Sequence, residues 1–76
     1  METKRDQPLT LAKLRERANF TQAQLAVTMG VSVSTVSDWE NGKKEPRLKH
    51  FRLLMEILGC TFEELCEAFD QVKRRE

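Results

Sequence analysis

Helix starts and stops are written along this chain at short, regular intervals. Thr21 followed by Gln24, and Thr61 followed by Glu64, form capping boxes. In such a box the hydroxyl accepts from an orphaned backbone N–H and the third residue reaches back to the cap's own N–H. Apolar residues bracket each start in the positions of a hydrophobic staple, Phe20 with Leu25 and Cys60 with Leu65, and Ser32 repeats the arrangement between Val31 and Val36. Gly30, Gly42 and Gly59 follow the apolar runs where the chain has to reverse, which a residue without a Cβ does cheaply through positive φ. No run of β-branched and polar residues alternates with period 2, so no sheet is expected.

Between the marks the apolar residues recur with helical spacing. Leu9, Leu11, Leu14 and Ala18 define a first helix over roughly residues 10–18, ended by Asn19. A second runs from about 22 to 29 and stops at Gly30, and a third runs from Ser32 to Asn41 and closes at Gly42. Pro46 fits the first turn of a fourth helix, whose Leu48, Phe51, Leu54, Met55 and Leu58 share a face. Phe62, Leu65, Cys66 and Phe69 give the fifth an apolar face that carries Cys66 into the core or an interface. The fold class is therefore all-α, with five helices. Residues 1–8 are expected as a flexible arm, 9–70 as the helical domain and 71–76 as a charged tail. With 76 residues, 39% of them hydrophobic, there is material for one small core. A single core of this size supplies about 3–5 kcal/mol, so tidy helix packing or a partner subunit has to complete the stability.

Charge is sorted along the chain although the net value is only +1. Residues 1–52 hold ten basic and six acidic groups, and residues 53–76 hold three and six, so the first part presents a positive surface to an anionic partner. Met1 is followed by charged and polar residues with no apolar core of a signal peptide, and no long apolar run follows, so the expected location is the cytoplasm. Cys60 and Cys66 are then thiols. A single His50, no cysteine or serine beside a plausible base and no phosphate-cradling glycine loop argue against an enzyme. His50 with Cys60 and Cys66 lacks zinc-ligand spacing, so neither a metal nor any other cofactor is expected.

The segment Thr21 to Pro46 carries a more specific pattern: small Ala26, where two helices would cross, Gly30 at the turn, Leu25, Val31, Val36 and Trp39 as clamps, then Trp39-Glu40-Asn41-Gly42 and a lysine pair. It resembles the Cro/cI-type (Xre-like) helix-turn-helix family, and one helix before and two after extend the resemblance over residues 9–69. The resemblance implies a compact five-helix bundle of the phage-repressor DNA-binding type. At 100° per residue, with Val36 and Trp39 inward, the outward side of the third helix is Ser34, Ser37, Asp38 and Asn41, flanked by Val33. By the resemblance this helix enters the major groove, with Val33, Ser34, Ser37 and Asp38 as base readers. The set lacks Arg and Gln: Val33 suits a thymine methyl and Asp38 a cytosine amine, and serine is ambiguous, so DNA shape is expected to carry more of the discrimination. Gln22 at a helix start combines an amide donor with exposed N–H groups, and the resemblance places it on a phosphate. The same resemblance puts Ser32, Thr35, Asn41, Lys43, Lys44 and Arg47 along the DNA backbone, with Lys49, His50 and Arg52 as weaker candidates. It also implies an ion pair between Arg15 and Glu40.

These expectations describe a DNA-binding transcriptional regulator, a repressor in its simplest form, acting on double-stranded DNA with a pseudo-palindromic operator. A homodimer would pair through the fifth helix and the 58–62 junction. The alternative is a protein-interaction module on the same scaffold, such as an antitoxin or an accessory factor, favoured by the near-neutral charge. Gln22, Asn41 and the lysine pair together serve no evident purpose in protein binding.

Overall fold

The computed structural model describes residues 8–73, with side chains through Asp70. Residues 1–7 of the expected arm and the last three residues of the expected tail lie outside the described residues. Five α-helices follow one another: α1 (Leu11–Arg17), α2 (Gln22–Met29), α3 (Val33–Asn41), α4 (Leu48–Leu58) and α5 (Phe62–Lys73). Helical backbone thus continues through residues 71–73, which the sequence reading assigns to the tail. Among the described residues there is no strand.

The caps decide where each helix begins. Thr10, Thr21 and Ser32 accept from the N–H of the third helical residue at 3.0–3.1 Å. Both capping boxes are complete: the Gln24 side chain accepts from Thr21 N–H at 2.9 Å, and Glu64 accepts from Thr61 N–H at 3.1 Å. The fourth helix differs. Pro46, expected inside its first turn, stands two residues before it, because Arg47 is the extended N-cap residue and makes no side-chain capping bond. From that position Pro46 lines a small cavity together with Phe51, the proline and the fourth helical residue sitting where a hydrophobic staple puts its two members.

Helices α1 to α4 end in one common way. Asn19, Gly30, Gly42 and Gly59 take positive φ, and the next residue's N–H reaches five positions back, as from Val31 to the Ala26 carbonyl at 3.0 Å. At Gly30 this closure turns the chain within three residues, so that α3 packs across α2. Ala26 lies buried beneath that crossing region with Leu25, Met29, Val36 and Trp39. Leu11 and Leu14 of α1, Leu54 and Leu58 of α4, and Leu65 and Ala68 of α5 complete the core. The α1 helix touches α3, α4 and α5, and α4 packs on both α2 and α5.

Two apolar stripes are set differently from their sequence reading. Leu48 is 72% exposed at the first turn of α4, and Phe62 is 56% exposed at the start of α5. Cys66, expected in the core or an interface, is exposed in this chain and so does not belong to the core. The reason is the rotation of α5: Leu65 and Ala68 point inward, so Cys66, about 100° on from Leu65, falls on the rim. Phe62 still packs edge-on against Phe51, with ring centroids 5.6 Å apart, and Phe51 also meets Phe69 at 5.7 Å.

Candidate nucleic-acid interface

The surface around α3 rests on a partly buried polar bracket. Arg15 Nε donates to Glu40 Oε2 at 2.7 Å, and their side chains are only 12% and 10% exposed. Arg15 Nη1 donates to the Phe20 carbonyl at 2.8 Å, and Gln22 Nε2 donates to Glu40 Oε1 at 2.8 Å. One carboxylate therefore ties the end of α3 to α1, and through Gln22 to the start of α2. The two residues that the family resemblance pairs are brought together, and Gln22 joins them. An amide nitrogen carries two hydrogens. Glu40 takes one, which orients the Gln22 amide and leaves its second hydrogen for another acceptor. Gln22 and Val33 then line one open groove, together with the end of α1 and the turn into α2.

The rest of the α3 face is engaged with itself. Ser32 Oγ lies 3.1 Å from Ser34 Oγ and 2.9 Å from Thr35 Oγ1, so the cap hydroxyl organises three side chains at the start of the helix. Asn41 Nδ2 donates to Ser37 Oγ at 3.2 Å. Lys44 Nζ lies 3.7 Å from Asp38 Oδ2, which balances the one acidic group on this face. Lys43 and Lys44 look interchangeable in the sequence, but the turn after α3 directs Lys44 toward Asp38. Val33, Ser34 and Asn41 are exposed, whereas Ser37, Asp38 and Thr35 are half-buried. Lys43, Lys44 and Arg47 are exposed along the loop to α4. Thr35, Lys44 and Arg47 share the lining of one hollow, into which His50 also opens.

Three contacts, two of them in this region, have no sequence signal. The Gln22 to Glu40 bond spans 18 positions. His50 lies against Trp39, with ring centroids 5.4 Å apart. On the opposite side of the bundle, Arg17 holds Glu64 through two bonds of 3.0 and 3.2 Å and so joins α1 to the cap of α5. The hydrogen bond to Glu64 holds the Arg17 guanidinium above its ordinary range. Beside it, burial pushes the Cys60 thiol up, and the Glu64 charge pushes it further. Among the described residues no helix is long and apolar enough to cross a membrane. None of them form a group of three His, Cys, Asp or Glu that could hold a metal ion.

A short helix crossed by a second one through a tight glycine turn, with a polar face turned outward, defines a class. The chain belongs to the Cro/cI-type helix-turn-helix family, whose profile matches residues 11–65. Among curated proteins it is similar to the HTH-type transcriptional activator BcrR of Enterococcus faecalis, with 36% identity over 55 residues, which is 72% of this chain and 27% of that protein. It is also similar to the cryptic phage CTXphi transcriptional repressor RstR of Vibrio cholerae serotype O1, with 32% identity over 56 residues, 74% of this chain and 50% of the repressor. The match thus spans about a quarter of one relative and half of the other. No solved structure matches the chain.

Proposed function

We propose that this chain is a sequence-specific DNA-binding transcription regulator that inserts α3 into the major groove. The observation that carries the reading is the family match over the stretch that holds the crossed α2–turn–α3 unit. Exposed Val33 and Ser34 at the leading end of α3, with Ser37 and Asp38 one turn on, are the base readers. Gln22, Ser32, Thr35, Asn41, Lys43, Lys44 and Arg47 surround them with phosphate donors. Asp38 reads bases only when Lys44 releases it, so a phosphate that draws Lys44 away frees Asp38 for the bases. One relative is named an activator and the other a repressor. Repression by occupying an operator needs nothing beyond binding, and is the mode proposed.

Two copies are proposed to bind together through α5 and the 58–62 junction, where exposed Phe62 offers apolar surface that a partner would cover. Two-fold symmetry then sets half-sites roughly 34–36 Å apart. The test is binding to random-sequence duplex DNA at two salt concentrations, with the triple variant Gln22→Ala, Lys43→Ala, Lys44→Ala beside the wild type. Each neutralised phosphate contributes about −0.9 to the slope of log K against log salt, so loss of both lysines should reduce the slope by roughly 2 per chain. Absence of binding at low salt, or a variant slope equal to the wild type's, would move the assignment to the protein-interaction module. Sedimentation that detects only monomer at high concentration, with and without DNA, would remove the dimer.

A further inference from the structure

The hollow between the end of α3 and the start of α4 contains the chain's single histidine. Its wall is more polar than apolar and carries two cations and one carboxylate. Thr35 and Trp39 come from α3, Lys44, Glu45 and Arg47 from the connecting loop, and His50 from α4. Lys44 is also held 3.7 Å from Asp38. The His50 ring is half-buried, tilted by 48° against the buried Trp39 indole at a centroid distance of 5.4 Å.

We propose that this hollow seats one backbone phosphate of the bound duplex and that His50 is its titratable wall, so that the chain takes up a proton as it grips DNA. The proposal rests on the regulator reading and deepens it. A phosphate among Lys44, Arg47 and the Thr35 hydroxyl would lie in the same hollow as the imidazole. Histidine is the side chain whose charge changes between about pH 5 and 8. The charged groups that share the hollow with His50 are Lys44, Glu45 and Arg47, and the Trp39 indole lies against its ring. An arriving phosphate brings negative charge and a hydrogen-bond acceptor to the imidazole, both of which favour its protonated form. Protonation and DNA binding then support each other, and affinity rises as pH falls.

The test combines a proton count with a variant. Calorimetry of the wild-type chain with a random-sequence duplex, near pH 7 in two buffers of different ionisation enthalpy, should show net proton uptake on binding. Between pH 8 and pH 6 the salt slope should steepen by at most about 0.9 per chain, which at roughly 0.1 M salt caps the gain in affinity at about eightfold per bound chain. In His50→Gln, with its fold checked by circular dichroism, both the uptake and the pH-dependent gain should vanish. DNA binding with no proton uptake by the wild type overturns the proposal and leaves the regulator reading in place. The same holds if His50→Gln takes up as many protons as the wild type. No binding at either pH by either protein removes the regulator reading and this proposal with it.

Discussion

Replacing Arg15 by alanine should cost this chain most of its stability. The substitution removes the 2.7 Å bond to Glu40 and the 2.8 Å bond to the Phe20 carbonyl together. Loss of one partner from a buried ion pair costs about 3–5 kcal/mol when the remaining charge is left unpaired. Here the discount is specific: Glu40 keeps the Gln22 amide as a donor, and about a tenth of its side chain meets solvent. That lowers the pair's share to about 2 kcal/mol, and the stranded Phe20 carbonyl adds about 1 kcal/mol. A total of about 3 kcal/mol corresponds to a drop of roughly 12–24 °C in Tm for a domain of this size. A single core of this length supplies about 3–5 kcal/mol, so the variant should lie near the edge of folding. Thermal and urea melts followed by far-UV circular dichroism, on Arg15→Ala, Glu40→Ala and the double variant, measure the effect. The double variant leaves no lone buried charge, so it should be less destabilised than the sum of the singles, with a coupling of about 1.5–3 kcal/mol. A melt of Arg15→Ala within about 3 °C of wild type, or a coupling near zero, would refute the argument.

Glu64 serves both the α5 capping box and the Arg17 pair, and substitution separates the two roles. Glu64→Gln retains the reach back to Thr61 and loses only a half-exposed ion pair, so its melt should fall by less than about 1 kcal/mol; Glu64→Ala loses the cap as well and should fall by about 1–2 kcal/mol. Equal melts for the two would refute the separation. Cys60 should limit stability at alkaline pH. Its thiol is raised by burial, so the unfolded chain ionises first; stability is full below the ordinary thiol range and declines as pH rises through it, until the folded thiol ionises too. The decline should be smaller in Cys60→Ala, and a thiol reagent added to native protein at neutral pH should modify exposed Cys66 rapidly and Cys60 only on unfolding. Gly30→Ala meets no atom within 4 Å, so its whole cost is the backbone at φ +76°, about 1 kcal/mol in a urea melt; a neutral result would mean that the turn has another conformation available.

What could be read without coordinates is what acts within five residues along the chain. Thr21, Ser32 and Thr61 cap the helices expected of them, and Asn19, Gly30, Gly42 and Gly59 close the helices before them, because a cap needs only its own neighbours. The inward residues Leu25, Ala26, Val36 and Trp39 follow from the same local periodicity. Periodicity fixes a helix's phase only to within the width of its apolar stripe. Leu48, Phe62 and Cys66 lie at the margins of their stripes, and the docking angles of α4 and α5 left them outside. The functional face divides in the same manner. Its residue types and their helical order are local properties, and the third helix could be oriented from Val36 and Trp39 alone. Lys44 meets Asp38 through the turn that directly follows α3, whereas that Gln22 is held by Glu40 and that His50 closes a hollow against Trp39 are contacts made by packing. Local sequence does not encode them, because each depends on where helices distant in the chain meet once the core has been buried.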